Sequence, residues 1–214
     1  MPSGSRLEDY IKKAYEIIGS LTPIKADCGA LCGAACCKDY PSATSDSATP
    51  DPVGRGIPDA PPTDPDRTVS PAHPDSLGML LFPGEIKLLS QEPGYRFFRI
   101  PYMGESAWFM VCEGVCDRRK RPLACRIFPL APQIGDSGEI RALPDPRAGR
   151  MCPLAGGEFL NPAFRRAVEK ALRHISQAPE IYDFMRLLSA DLDEMRKFMR
   201  YIGIFRNNLT DKKN

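Results

Sequence analysis

The sequence predicts one α+β domain that is mostly helical, with short strands and a long C-terminal helix. Three observations support this fold class. Apolar residues recur at helical spacing at both ends of the chain, the middle contains short runs rich in aromatic residues, and 43% of the residues are hydrophobic. A length of 214 residues fits a single domain, so we assign residues 1–214 to it.

The first predicted element is an amphipathic helix over residues 6–21. Leu7, Ile11, Ala14 and Ile18 recur at spacings of four and three, which places them on one face of a helix. The polar residues between them fall on the opposite face, so this helix is expected to cover one side of the core.

Residues 41–76 differ in composition from the rest of the chain. They contain nine of the 22 prolines and no aromatic residue. A segment with so few large apolar side chains cannot bury enough surface to offset the entropy that ordering costs. The composition therefore predicts a disordered, proline-rich insertion within the domain.

Short helical and extended segments are predicted to follow this insertion. Pro83 can open a short helix that carries Ile86, Leu88 and Leu89. Residues 95–112 predict two strands joined by a glycine turn, and residues 133–143 predict a second hairpin. We expect short strands to carry the cysteines of this half of the chain.

Two helices are predicted at the C-terminal end. Asn161 and Pro162 form a favourable start for the first, and the second extends from about residue 180 to residue 206. We expect the second to pack on the N-terminal helix of the same chain, and a homodimer through this C-terminal helix is the alternative to a monomer. The expectation rests on a heptad-like apolar seam, which consists of Ile181, Met185, Leu188, Leu192, Met195, Met199 and Ile202.

The charge balance and the hydropathy pattern exclude several classes of protein. Lys and Arg total 29 and Asp and Glu total 27, which gives no indication of binding to nucleic acid or to an acidic membrane. No apolar run is long enough to span a bilayer. The first residues carry charges such as Glu8 and Asp9 where a signal peptide would be apolar. We therefore expect a cytoplasmic protein, in a compartment that keeps thiols reduced.

The eight cysteines fall into two groups with short internal spacings. The front group has the spacing C-x3-C-x3-C-C, and the rear group, 74 residues later, has C-x3-C-x8-C-x26-C. Because no cysteine lies outside these groups, we expect folding to close them into one site. All eight are predicted metal ligands: Cys28, Cys32, Cys36, Cys37, Cys112, Cys116, Cys125 and Cys152.

Metal binding explains this clustering better than the other uses of cysteine. Thiolates bind zinc ions and iron–sulfur clusters tightly, and four of them complete a tetrahedral site. Basic residues flank Cys125, and their charge would lower the pKa of nearby thiols. Buried structural thiols, and disulfides in an exported protein, are the alternatives. The predicted cofactor is an iron–sulfur cluster or Zn²⁺, and we prefer the cluster, with a redox or electron-transfer role. Eight thiols allow two sites, or one site with a further pair.

The pattern resembles the YkgJ-type cysteine-cluster family, whose domain chelates zinc or iron. That family has eight cysteines, with a front group that ends in a CC pair and a rear RP-x-x-CR-x-(F/Y)-P signature. The corresponding strings here are Cys36-Cys37 and RPLACRIFP, which spans residues 121–129. The chain departs from the family in its first cysteine spacing, three residues instead of two, and in its long insertion. The resemblance implies metal binding and supplies no reaction.

A second hypothesis is a structural zinc domain that presents its last helix to a partner. The partner is then another protein, whereas the first hypothesis calls for a redox partner. An enzyme that uses the metal as a Lewis acid needs an acid or base beside an open coordination position. No such set stands out, so the sequence leaves catalysis undecided. The two histidines, His73 and His174, are interpreted as bystanders.

Overall fold

The computed structural model describes residues 6–28, 31, 36, 78–112, 118–150, 152–156 and 159–201. The predicted insertion at residues 41–76 lies outside these ranges, as do Cys32, Cys37 and Cys116. The described part is a mixed α/β structure with a long C-terminal helix. Its regular elements, in chain order, are α1 (Leu7–Ile18), β1 (Gly78–Leu80), α2 (Ile86–Leu89), β2 (Tyr95–Tyr102), β3 (Glu105–Cys112), α3 (Leu123–Ile127), β4 (Leu130–Ile134), β5 (Ile140–Pro144), α4 (Pro162–Ile175) and α5 (Pro179–Tyr201).

Helices α1 and α4 pack against each other over most of their lengths. The apolar face predicted for α1 is buried at Ile11, Ala14 and Ile18. Asn161 begins α4, and its side-chain oxygen accepts a hydrogen bond from the backbone N–H of Ala163 at 3.0 Å, as its position before Pro162 predicts. Both helices therefore follow the sequence pattern closely, and they form one side of the main core.

The predicted hairpin of β2 and β3 is confirmed, and a third strand joins it. Tyr102 pairs with Glu105 across the turn, and both turn residues, Met103 and Gly104, have positive φ angles of 51° and 85°. Such angles give a turn whose twist matches that of the strands. Strand β1, which was not predicted, pairs with β3 on the other side, so the sheet order is β1-β3-β2. Three residues are too short a segment for an alternating pattern to show.

The second predicted hairpin is also present, as the antiparallel pair β4 and β5. The expectation that α5 packs on α1 is wrong, because α5 packs chiefly on β4. The hairpin provides polar groups as well as apolar ones to α5. The backbone N–H of Ile134 donates to the Ser189 hydroxyl at 3.0 Å, and the Arg196 guanidinium donates to the carbonyl oxygen of Pro144 at 3.1 Å. A heptad seam gives the buried face of a helix without saying which element covers it.

The seam of α5 is buried in its first half only. Ile181, Met185, Leu188 and Leu192 belong to the main core, while the later Met195 is half-buried. The helix is described as far as Tyr201, so the predicted end at residue 206 lies outside the described ranges. Near this end Phe198 and Tyr201 are 61% and 89% exposed. The first half of α5 therefore stabilises the core and the second half extends from it.

The cysteines of the second half are not all carried by strands, contrary to the expectation. Cys112 is the last residue of β3, but Cys125 lies in α3, which begins directly after Pro122. Cys152 follows a short 3-10 helix, Pro146–Arg150. Proline is favoured at the start of a helical turn because its φ angle is fixed near the helical value. Pro122 and Pro146 are therefore the residues that replace the expected strands by helical turns.

Candidate metal centre

The structure describes five of the eight predicted ligands, and all five thiol side chains are half-buried. They are Cys28, Cys36, Cys112, Cys125 and Cys152. The other three, Cys32, Cys37 and Cys116, lie outside the described ranges. Half-buried cysteines are shielded from bulk water and remain reachable by an ion, which suits both zinc and a cluster.

Hydrogen bonds from Arg118 and Asn161 join the segment before the front cysteines to the rear half of the chain. The guanidinium of Arg118 donates to the carbonyl oxygen of Leu21 at 3.0 Å. The backbone N–H of Asn161 donates to the carbonyl oxygen of Pro23 at 2.7 Å. Leu21 and Pro23 precede Cys28 by a few residues, and Arg118 lies between two rear cysteines. The segment that precedes the front cysteines therefore lies against the loop that contains Arg118.

A second set of contacts joins the end of β3 to residues 118–121, which include Arg118 and are called the basic loop below. Tyr95 is the residue opposite Cys112 in the pairing of β2 and β3. Its hydroxyl donates to the carbonyl oxygen of Lys120 at 3.3 Å, and the Lys120 ammonium forms an ion pair with Glu92 at 2.6 Å. The Cys112 side chain also packs against a small apolar cluster around Leu81. Cys112 is thus fixed beside the loop that leads to Cys125.

The helical turn that carries Cys125 is held by the arginine next to it. The Nε of Arg126 donates to the carbonyl oxygen of Arg121 at 2.7 Å, and its Nη2 donates to that of Arg119. The same guanidinium lies over the Tyr15 ring of α1, 3.9 Å from the ring centre. A planar guanidinium can stack on a ring and donate to two carbonyls at once, which an ammonium cannot do. Arg126 therefore links the basic loop, α3 and α1.

A buried carboxylate completes this link. Glu85 is 0% exposed and accepts hydrogen bonds from the Tyr15 hydroxyl at 2.6 Å, from the backbone N–H of Phe82 at 3.0 Å, and from that of Leu123. Burial raises the pKa of Glu85, and the hydrogen bond from Tyr15 and the two backbone hydrogen bonds oppose this rise. Because Leu123 is the first residue of α3, Glu85 fixes the start of the turn that carries Cys125.

Tyr15 responds to the same surroundings. Burial raises the pKa of its hydroxyl far above the ordinary value, and the charge of Glu85 and the hydrogen bond to it act in the same direction. The nearby Cys125 thiol raises it further, whereas Arg126 lowers it. Tyr15 therefore remains a protonated hydrogen-bond donor through the physiological range of pH, close to one of the predicted ligands.

Cys152 is connected to the RPLACRIFP string through backbone hydrogen bonds. The N–H of Asp145 donates to the carbonyl oxygen of Pro129 at 2.8 Å, and the N–H of Cys152 donates to that of Ala148 at 2.9 Å. The buried Asp145 carboxylate also forms an ion pair with Arg147 at 2.6 Å. These contacts set the path of the chain from the end of the string to the last cysteine.

Within the described ranges, no three or more Cys, His, Asp or Glu side chains form a group that could hold a metal ion. A complete site would therefore need ligands from Cys32, Cys37 or Cys116, and the eight-cysteine set stays a prediction. The chemistry of the donors fits the group, because soft thiolates prefer zinc and iron–sulfur clusters. The hydrogen bonds described above join segments that lie next to the front cysteines and the rear cysteines in the sequence.

Sequence reasoning missed the two residues that contribute most to the scaffold, Tyr15 and Glu85. Glu85 had a signal, since it is a lone acidic residue in the apolar run LLFPGEIKLL, and a carboxylate in such a run is buried only with partners. Tyr15 had no signal, because one tyrosine on an amphipathic helix is ordinary. Of the two predicted bystanders, His174 lies on α4 with its ring 5.5 Å from that of Tyr10, and His73 is outside the described ranges.

A comparison with known protein families, with curated protein sequences and with solved structures finds no match to this chain. Among the helices in the described part of the chain, none has the length and apolar character needed to cross a bilayer.

Proposed function

We propose that this protein binds an iron–sulfur cluster or Zn²⁺ through its clustered cysteines, as a YkgJ-type cysteine-cluster protein. The observation that carries the proposal is the hydrogen bond from Arg118 to the carbonyl oxygen of Leu21. It joins the chain that leads into the front cysteines to the loop between two rear cysteines. This contact supports a site that takes thiols from both groups, which are 74 residues apart in sequence.

The scaffold around Cys125 supports this function. A site with several thiolates carries negative charge, and a fixed cation nearby offsets it. Arg126 is held in place by two backbone carbonyls and by the Tyr15 ring, so its charge stays fixed between α1 and the residues that precede Cys125. A bound cluster would supply one-electron chemistry, whereas bound zinc would cross-link the front and rear halves. The scaffold serves either, and we prefer the cluster with a role in electron transfer.

The test is metal analysis with a visible spectrum on protein purified without oxygen. The proposal predicts either iron with acid-labile sulfide and a band that bleaches on reduction, or stoichiometric zinc. In Cys112→Ala and Cys125→Ala we expect the metal content to fall by at least about half, because each removes a ligand of one site. Val111→Ala, next to Cys112 and also buried, is the matched control and should retain the metal. Metal-free wild-type protein, or full retention in both cysteine variants, contradicts the proposal.

The second candidate is a structural zinc domain that acts as an interaction module. The exposed aromatic residues Phe198 and Tyr201 near the end of α5 favour it, since exposed aromatic side chains are common at protein interfaces. In that case the binding energy of zinc is folding energy, and a chelator should unfold the protein. A cluster protein differs by its absorbance change on reduction. Loss of metal without unfolding counts against the structural role.

A further inference from the structure

A groove of about 520 Å³ lies between α1 and α4, apart from the cysteines. Lys13 and Ile17 line it from α1, and Lys170, Arg173 and His174 line it from α4. Lys13 and Ile17 are each two residues from Tyr15, so their side chains are rotated by about 200° from that of Tyr15 around the helix axis. Because Tyr15 faces Arg126 and Glu85, this groove is on the other side of α1 from those two residues.

The groove carries an excess of positive charge. Its lining includes the cations Lys13, Lys170 and Arg173, and Glu16 is its one acidic residue. Lys13 is paired with Glu16 at 2.8 Å, whereas Arg173 approaches Glu169 only at 3.9 Å, the outer limit for an ion pair. With Glu169, the ion-pair partner of Arg173, counted beside Glu16, the groove and its edge have a formal excess of +1. Lys170 is the lining cation that has no acidic partner in the described part of the chain.

Several hydrogen-bond donors in the groove are available to a ligand. In the described part of the chain, no acceptor is within hydrogen-bond distance of the Lys170 ammonium, the Gln177 amide or the His174 ring. The His174 ring is held against Tyr10 at 5.5 Å between ring centres, so its position on the wall is fixed. Lys170, Arg173 and Gln177 are three and four residues apart, which aligns them along one edge of the groove.

We propose that this groove binds a small phosphate-bearing molecule. The fork of Arg173 and the ammonium of Lys170 suit the oxygens of a phosphate monoester, which can accept several charge-assisted hydrogen bonds. The volume is within the range of small-molecule sites, from about 300 to 1,000 Å³. Ile17 and the face of the His174 ring supply the less polar wall for the rest of the molecule. This site is independent of the metal centre.

The test is calorimetric titration of the full-length protein at low salt with inorganic phosphate and with glucose 6-phosphate. We expect saturable binding at one site, tighter for glucose 6-phosphate, and none for glucose. In the double variant Lys170→Gln, Arg173→Gln the affinity should fall by at least about tenfold, because both charged donors to the phosphate are removed.

The matched control is Arg186→Gln, Lys197→Gln, which removes the same charge from exposed positions on α5. It should change the affinity by less than about twofold, since charges far from the groove act on the ligand only through water, where their interaction is weak. Equal losses in the two double variants would mean that only the overall charge attracts phosphate. That result overturns the proposal, and so does the absence of saturable binding by wild-type protein. Binding of an acidic peptide in place of both phosphates would assign the groove to a protein partner instead.

Discussion

Arg126 and Tyr15 form the central contact between the N-terminal helix and the turn that carries Cys125, with the guanidinium 3.9 Å from the ring centre. The ring is fixed from two sides, because its hydroxyl also donates to the buried Glu85 at 2.6 Å. A cation on the face of an aromatic ring is attracted to it, and the attraction grows as water is excluded. The position of Cys125 therefore depends on a residue of α1 that precedes every cysteine in the chain.

The first prediction concerns Tyr15 at high pH. In the unfolded chain a tyrosine ionises near pH 10, whereas the raised pKa keeps Tyr15 protonated in the folded protein. The folded state then holds one more proton, so stability falls as the pH rises above 10, by up to about 1.4 kcal/mol per pH unit. In Tyr15→Phe this contribution is absent, and the free energy of unfolding should fall less steeply.

Urea denaturation at pH 8, 10 and 11 measures the difference. Tyr201→Phe, at an exposed position, should have the pH dependence of the wild-type protein. Tyr102, whose pKa is also raised by burial and by its hydrogen bond to Asp191, is retained in both variants and does not affect the comparison. Parallel curves for wild type and Tyr15→Phe would show that Tyr15 ionises normally.

The second prediction is that Glu85→Ala lowers the free energy of unfolding by about 2–4 kcal/mol. The substitution leaves three donors without their acceptor, two of them backbone N–H groups at buried positions, and each unsatisfied group costs about 1–3 kcal/mol before relaxation. Glu85→Gln, which retains an acceptor oxygen, should lose less. Chemical denaturation at pH 7 is the measurement, with the exposed Glu16→Ala as control. A loss for Glu85→Ala no larger than that of the control would remove Glu85 from the scaffold.

The third prediction concerns Gly84, which precedes Glu85. Its φ angle is +87°, and a Cβ atom there would lie 2.6 Å from the Cβ of Leu7 in the first turn of α1. Gly84→Ala should therefore destabilise the fold by about 1–3 kcal/mol, from backbone strain and from the displaced helix. Gly104→Ala is an informative control, because it has a similar φ angle of +85° and open space around it. Thermal denaturation measures both losses of stability. If Gly84→Ala loses more than Gly104→Ala, the difference comes from the close approach to Leu7, because the backbone strain is common to both.

The fourth prediction joins the scaffold to the metal. In Arg118→Gln the shorter side chain cannot reach the carbonyl oxygen of Leu21, so the front segment loses one of its three hydrogen bonds to the rear half in the described part of the chain. The metal-loaded protein should release its metal to a chelator faster, by about threefold or more. One hydrogen bond that holds the front segment in place contributes about 1 kcal/mol to the stability of that arrangement. Arg186→Gln, exposed on α5, should release metal at the wild-type rate. Equal rates of metal release in the two variants would show that Arg118 does not contribute to metal retention.

Much of the fold could be predicted from local patterns in the sequence. The periodicity of α1, the cap at Asn161 and the turn at Gly104 each have a short-range physical cause, and each is where the sequence places it. The partner of α5 had no such cause. Its seam gave the buried residues, but the choice of β4 over α1 depends on polar contacts such as Ser189 with Ile134, which only the tertiary structure supplies.

The candidate site was predictable as a composition and not as an arrangement. The spacings of the cysteines indicated metal, and the basic residues around Cys125 indicated charge compensation. The contacts of Arg126 could not be predicted from its position beside Cys125. Its guanidinium stacks on Tyr15, which is far away in the sequence, and it donates to a backbone carbonyl of the preceding loop, which no side-chain pattern indicates. The metal itself stays a prediction.

The acceptors in this scaffold are mostly backbone carbonyls. Arg118 and Arg126 donate to the oxygens of Leu21 and Arg121, and the Asn161 backbone N–H donates to that of Pro23. A carbonyl is present whatever side chain its residue carries. These hydrogen bonds therefore do not depend on which side chains stand at Leu21 and Pro23, and an alignment built on side-chain identity would undervalue the accepting half of such bonds.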